Sequence, residues 1–125
     1  MKIRPKEDSL DLTLVIPALH EAPNLRLLLP SLAETLPEVT DAWEVIVVDG
    51  KGEDDSPDVV KSMGDRFRYV EEPQRGYGHA ILRGIAEARG RYVITMDADL
   101  SHPAEFIRRL WEARDRGSVV IASRY

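Results

Sequence analysis

An α/β fold, with a mostly parallel sheet covered by helices on both faces, is predicted by two observations. Short apolar and β-branched runs alternate with amphipathic stretches at the spacing of βαβ units. Several of those runs, notably residues 12–17 and 43–49, are apolar almost throughout, as strands are when both of their faces are covered.

Each element has its own local reason. Residues 1–11 are charged and aperiodic and are expected to form a mobile leader before a first strand over 12–17. A helix is expected over 24–36, where Leu25, Leu28, Leu29 and Leu32 fall on one stripe. Pro30 predicts a kink or break in it, because proline lacks an amide donor and crowds the preceding turn. Residues 43–49 form the second strand, followed by a Gly-rich acidic loop that reads as solvated. Ser56 and Pro57 have the form of an N-cap and first helical position, leading a short helix to about Met63. A third strand is expected over 66–70 and a loop over 75–79. The helix after that loop places Ile81, Gly84, Ile85 and Ala88 on one face, small enough to lie close to a neighbour, before Gly90 ends it. Residues 92–96 form strand four and 118–123 strand five. The helix between them, over 103–116, turns Phe106, Ile107, Leu110 and Trp111 inward. His102 before Pro103 fits an N-cap, with Glu105 returning a bond. Trp43 and Trp111 read as core bulk.

Composition narrows the function. At 125 residues the chain holds one domain at most. A net charge of −5 offers no basic stripe for a nucleic-acid backbone. No window approaches the roughly 18 apolar residues of a membrane span, and the first residues lack the apolar core of a signal peptide. The absence of cysteine fits a reducing compartment such as the cytoplasm.

The most informative feature is Asp97-Ala-Asp99, at the mouth of the apolar strand over 92–96. Period-2 geometry would aim both carboxylates the same way, and oxygen ligands so placed suit Mg²⁺ or Mn²⁺ shared with a ligand's phosphates. The carboxyl end of a buried strand is also where open α/β sheets bind ligands. Glu21 after strand one and Asp49 at the end of strand two should reach the same edge. Like charges gathered there call for a compensating ligand or cation.

Five segments in order resemble the family 2 glycosyltransferases of the GT-A fold, a Rossmann-like arrangement, and within them the polyprenyl (dolichol) phosphate mannosyl- and glucosyltransferases. They are residues 15–25, Val47-Val-Asp-Gly50, Gly76-Tyr-Gly-His-Ala80 with Gly84, Met96-Asp-Ala-Asp-Leu-Ser-His-Pro103, and Ala122-Ser-Arg-Tyr125. The resemblance implies that residues 12–125 are the nucleotide-sugar-binding part of a transferase domain that continues past Tyr125. It implies transfer of a hexose from a GDP-mannose or UDP-glucose type of donor to a polyprenyl phosphate, at the cytoplasmic face of a membrane. The alternatives are a non-catalytic binding fragment, or a family 2 transferase with a soluble or polysaccharide acceptor. It places Pro17, Glu21, Asp49 and Asp97 around the nucleotide, and Asp97, Asp99 and Ser101 at the Mg²⁺ or Mn²⁺ ion. Asp99 and Arg124 would serve the reacting phosphates, with Arg75 an auxiliary phosphate contact. The chain departs from the family where Asp49-Gly50-Lys51-Gly52 replaces Asp-Asp-Gly-Ser, where Leu19 and His20 replace Tyr-Asn, and where Ser101 replaces a glutamine. The family's sheet also implies that a later strand lies beside strand four.

Overall fold

The structure is a computed structural model that describes residues 10–19, 21–50, 54–99, 102–114 and 120–121. Its elements are β1 (Leu10–Pro17), α1 (Ala22–Val39), β2 (Trp43–Asp49), α2 (Ser56–Lys61), β3 (Phe67–Glu71), α3 (Tyr77–Glu87), β4 (Gly90–Thr95), α4 (Pro103–Glu112) and β5 (Val120–Ile121). The strands form one sheet in the order β3-β2-β1-β4-β5, and every pairing is parallel.

Helices cover both faces, as expected. Leu12, Leu14 and Ile16 of β1 point to one face, into a core closed by Leu25, Leu29, Leu32 and Leu36 of α1, Val60 of α2 and Ile107 of α4. Val15, Ile46, Val48 and Val93 point the other way, against Ala80 and Ile85 of α3. This two-sided burial explains why β2 is buried along its whole length.

Several local expectations are corrected. β1 begins at Leu10, two residues earlier than periodicity suggests, because Leu10 N donates to Arg89 O and Asp11 N to Ala42 O. α1 runs through Pro30, and through Pro37, without a break. Both prolines are exposed, so the donors they lack fall on the solvent side while the leucine stripe holds the inner side. α2 starts at Ser56 instead of being capped by it. Asp55 takes the N-cap position, and Asp54 Oδ1 accepts from Ser56 N at 2.9 Å. α3 already includes Gly78 and His79, and Gly90 opens β4 instead of closing the helix. His102 does occupy the N-cap of α4, but no side-chain capping bond forms. β5 is shorter than the expected 118–123 among the described residues and pairs with β4 through Ile94↔Val120 and Thr95↔Ile121.

Two glycines set how closely the layers approach. A Cβ on Gly84 would lie 2.3 Å from Val15 Cγ1, and one on Gly90 would lie 2.5 Å from the Thr13 amide nitrogen. Gly90 N also donates to Thr13 Oγ1 at 2.8 Å. At the same amino-terminal end of the sheet, buried Glu44 accepts from Thr13 Oγ1, from Arg89 N and twice from Arg68. Trp43 packs edge-on to Phe67, and Trp111 edge-on to Tyr92.

Val15 is fully buried and β-branched, so it cannot swing away from an added methyl. Gly84→Ala should therefore destabilise the fold by about 1–3 kcal/mol, seen as a lower urea midpoint at unchanged m-value.

Candidate functional site

Register brings the carboxyl ends of the strands to one edge. Pro17 lies opposite Val48, Asp49 opposite Glu71, and Val15 opposite Thr95. Three backbone bonds extend the ladder past the strand ends, Ala18 N to Val48 O, Glu72 N to Asp49 O and Met96 N to Val15 O. β1 lies between β2 and β4, so strand order reverses between β1 and β4 at this edge.

A cleft of about 600 Å³ opens over the ends of β1, β2 and β3. This is within the usual range for a small-molecule site. Its walls include Pro17, Ala18, Leu19, Asp49, Glu72, Gln74, Arg75 and Tyr77. Three sequence-predicted residues therefore share it: Pro17, Asp49 and Arg75.

Asp49 is 2% exposed and held at both oxygens. Oδ1 accepts from Gly50 N at 2.7 Å, and Oδ2 accepts from the Tyr69 hydroxyl at 2.8 Å. Burial, and then the bond to Asp49, push the Tyr69 phenol above its ordinary value of 10.0. The last residue of β2 is thus an acceptor in one fixed orientation, with lone pairs left over.

Glu21, Asp97 and Asp99 are not among the cleft walls. Glu21 sits half-buried at the N-cap of α1 and accepts from Asn24 Nδ2 at 2.5 Å. β4 ends at Thr95, so the period-2 geometry expected for Asp97 and Asp99 does not reach them. Asp97 is half-buried, and Asp99 is exposed on the turn that follows. Asp97 is linked to the cleft through Tyr77. Burial raises the phenol's pKa, and the charge of Asp97 raises it further. Beside them lies the Thr95 hydroxyl, 3% exposed at the end of β4, whose hydrogen bonding with the Tyr77 phenol pulls that pKa the other way. Ser101 and Arg124 lie outside the described residues, as do His20, Lys51 and Gly52. Trp43 and Trp111 stay away from the cleft, as expected of core bulk.

Sequence reasoning missed Glu72, Gln74 and Tyr77. Glu72 and Gln74 enter the wall because β3 lies beside β2, a long-range pairing. Tyr77 stands in the expected loop over 75–79, but α3 starts there, three residues earlier than that loop allows. The acidic loop after β2 is also more than a solvated segment. Asp54 accepts from Ala22 N at 3.3 Å as well as from Ser56 N, and Arg26 pairs with Asp55 at 2.9 Å, tying the start of α2 to the start of α1.

An open parallel sheet with a cleft at its reversal point belongs to the α/β class that takes ligands outside the carboxyl ends of its strands. Residues 13–125 match the model of glycosyl transferase family 2, and the chain belongs to that family. It is 34% identical over 122 residues to the dolichol-phosphate mannosyltransferase of Saccharomyces cerevisiae, covering 94% of this chain and 46% of the relative. It is 31% identical over 119 residues to the undecaprenyl-phosphate 4-deoxy-4-formamido-L-arabinose transferase of Pseudomonas syringae, covering 89% and 34%. The chain thus spans less than half the length of either relative. The structure superposes on glucosyl-3-phosphoglycerate synthase from Mycobacterium tuberculosis in complex with Mn²⁺, UDP and phosphoglyceric acid. That match has a TM-score of 0.69 at 26% identity and covers 83% of this chain and 38% of the other. The fold is that of the GT-A glycosyltransferases.

The Tyr69 bond carries a pH signature. A phenol whose pKa is higher in the folded state contributes stability that is complete below the unfolded-state pKa and is lost as pH rises through the folded one. Stability should fall as pH rises above 10.0, and the fall should be smaller in Tyr69→Phe, as measured by urea unfolding at a series of alkaline pH values.

Proposed function

We propose that the protein is the donor-binding part of a glycosyltransferase that moves a hexose from a nucleoside-diphosphate sugar to a polyprenyl phosphate, working at the cytoplasmic face of a membrane. The observation that carries this reading is the cleft over the carboxyl ends of β1, β2 and β3 in a family 2 fold, with a buried, doubly held Asp49 in its wall. Dolichol phosphate and undecaprenyl phosphate in the names of the two relatives support the acceptor. No helix among the described residues is long and apolar enough to cross a membrane.

Asp49 would accept from the nucleobase in its preset orientation. Pro17 and Glu21 would border the nucleoside from the end of β1, and Asp97 would approach it from the end of β4. Arg75, exposed at the rim, would meet phosphate, and Arg124 would do so from beyond β5. Guanidinium pairs with phosphate through charged, two-pronged hydrogen bonds. An acceptor that is already an anion needs little help from a general base, which fits a site whose side chains bind and orient.

Among the described residues no group of three or more His, Asp or Glu side chains could hold a metal by itself. That donor set still fits Mg²⁺ or Mn²⁺, which take one or two carboxylates and fill the remaining positions with phosphate oxygens and water. Asp97 and Asp99 would supply the carboxylates, and Ser101 would reach the ion directly or through water. When bound, the ion stabilises the negative charge that develops on the departing diphosphate.

The test is calorimetric titration with GDP and with UDP, in the presence and absence of Mn²⁺, alongside transfer of radiolabelled hexose to a polyprenyl phosphate. Binding with transfer supports the proposal. Binding without transfer restricts the chain to holding the donor, and the absence of both binding and transfer overturns both readings. Asp99→Asn should retain the fold by circular dichroism and lose on the order of tenfold or more of the Mn²⁺-dependent nucleotide affinity.

A further inference from the structure

We propose that Tyr77 is a positioning residue that ties the Asp97 turn to the cleft, so that a nucleotide in the cleft and a divalent ion at the turn strengthen each other's binding. This rests on the reading of the cleft as a nucleotide site.

The place of Tyr77 follows from the packing of α3. Gly84 lies against Val15 of the central strand β1. Tyr77 stands about two turns earlier on the same sheet-facing stripe. Helical side chains lean toward the amino-terminal end, so the ring of this first residue of α3 is carried to the carboxyl edge of the strands. There it joins the cleft wall. Val15 is also the strand neighbour of Thr95, the last residue of β4. Val15 and Val93 face α3, and Thr95, next but one after Val93, shares that face. The Tyr77 phenol hydrogen-bonds with the Thr95 hydroxyl and meets the charge of Asp97 just beyond it.

Among the described residues the cleft takes no wall from β4 or from the turn after it. Tyr77 bridges that separation, with its ring in the cleft and its hydroxyl at the end of β4. A hydrogen bond that lowers a phenol's pKa is one its oxygen accepts, because such a bond favours the phenolate. The bond with Thr95 acts in that direction, which leaves the phenol proton for the carboxylate of Asp97. β4 ends at Thr95, so no strand fixes Asp97 in place, and a donor anchored on Thr95 supplies what the strand does not. A nucleotide packed on the ring steadies the phenol and, through it, the turn on which the ion binds. The ion steadies the same turn for the nucleotide, since coupling between two bound ligands is reciprocal.

The test is calorimetry of this chain with GDP and with UDP, each with and without Mn²⁺, which gives the factor by which the ion strengthens nucleotide binding. The ring of Tyr77 is 52% exposed, so Tyr77→Phe keeps the cleft wall and the fold while removing the hydroxyl. It should reduce that factor about fivefold and leave the affinity without Mn²⁺ within about twofold. A residue that only shaped the wall would lower both affinities together. Thr95→Val removes the other end of the bond at nearly constant shape and should also reduce the factor. The double variant should be no worse than Tyr77→Phe alone. Tyr92→Phe makes the same chemical change on β4, on the face turned to Trp111, and should leave the factor unchanged. An unchanged factor in Tyr77→Phe, full additivity with Thr95→Val, or an equal loss in Tyr92→Phe overturns this inference and leaves the nucleotide site standing. Nucleotide binding that Mn²⁺ does not strengthen removes the ion from the site, and this inference with it. Absence of binding to either nucleotide overturns the site and the inference together.

Discussion

A parallel sheet whose first strand lies in its middle must reverse its winding somewhere, and here it does so at the carboxyl end of β1. The chain builds outward from β1 to β2 and β3 on one side, then crosses back through α3 to β4 and β5 on the other. Loops from both halves of the sheet come to the same edge, so side chains from distant parts of the sequence can meet there. Pro17, Asp49, Glu72 and Tyr77 meet around one cleft for this topological reason. Everything functional in the molecule depends on β1 holding its central place. That place is fixed by pairing on both edges, by apolar burial on both faces, and by the closeness that Gly84 allows between α3 and Val15.

Polar groups at the two ends of the sheet are treated differently. At the amino-terminal end Glu44 accepts from a hydroxyl, a backbone amide and two guanidinium nitrogens, while Arg68 reaches on to Glu87 O at 2.6 Å. A buried carboxylate supplied with that many donors is fully satisfied, and it joins β1, β2, β3 and the end of α3 into one unit. At the carboxyl edge Asp49 has only two donors. Buried groups with spare hydrogen-bonding capacity are costly in a resting protein unless a ligand completes them. The contrast marks one end as a structural fastening and the other as a site.

How much of this was legible in the sequence depends on how local each cause is. β2 could be read with the correct ends because a continuous apolar run bounded by glycine needs no outside information. Pro30 misled because proline's cost depends on which way the missing donor faces, and the helix turns that position outward while Leu29 and Leu32 stay buried. Gly90 reads as a helix stop, whereas its reason is a strand seventy-seven positions away in the chain, where Thr13 leaves no room for a Cβ. The acids of the motifs could be found by type and spacing, but their arrangement could not. Asp97 and Asp99 share a direction only if β4 continues through them, and it stops at Thr95. Glu72 carries no motif of its own and becomes visible only once β3 is known to lie beside β2.

The two halves of the edge also differ in how far they are organised before a ligand arrives. Asp49 and Glu72 are largely buried and tied to backbone amides, so the acceptors on that side stand in place at no further cost in side-chain entropy. On the other side Asp97 is half-buried and Asp99 is exposed on a turn. Exposed acids keep their hydration and can close on a cation only when phosphate oxygens and water complete its shell. A site divided in this way would recognise the base first, on a rigid surface, and gather its charged groups around the diphosphate second.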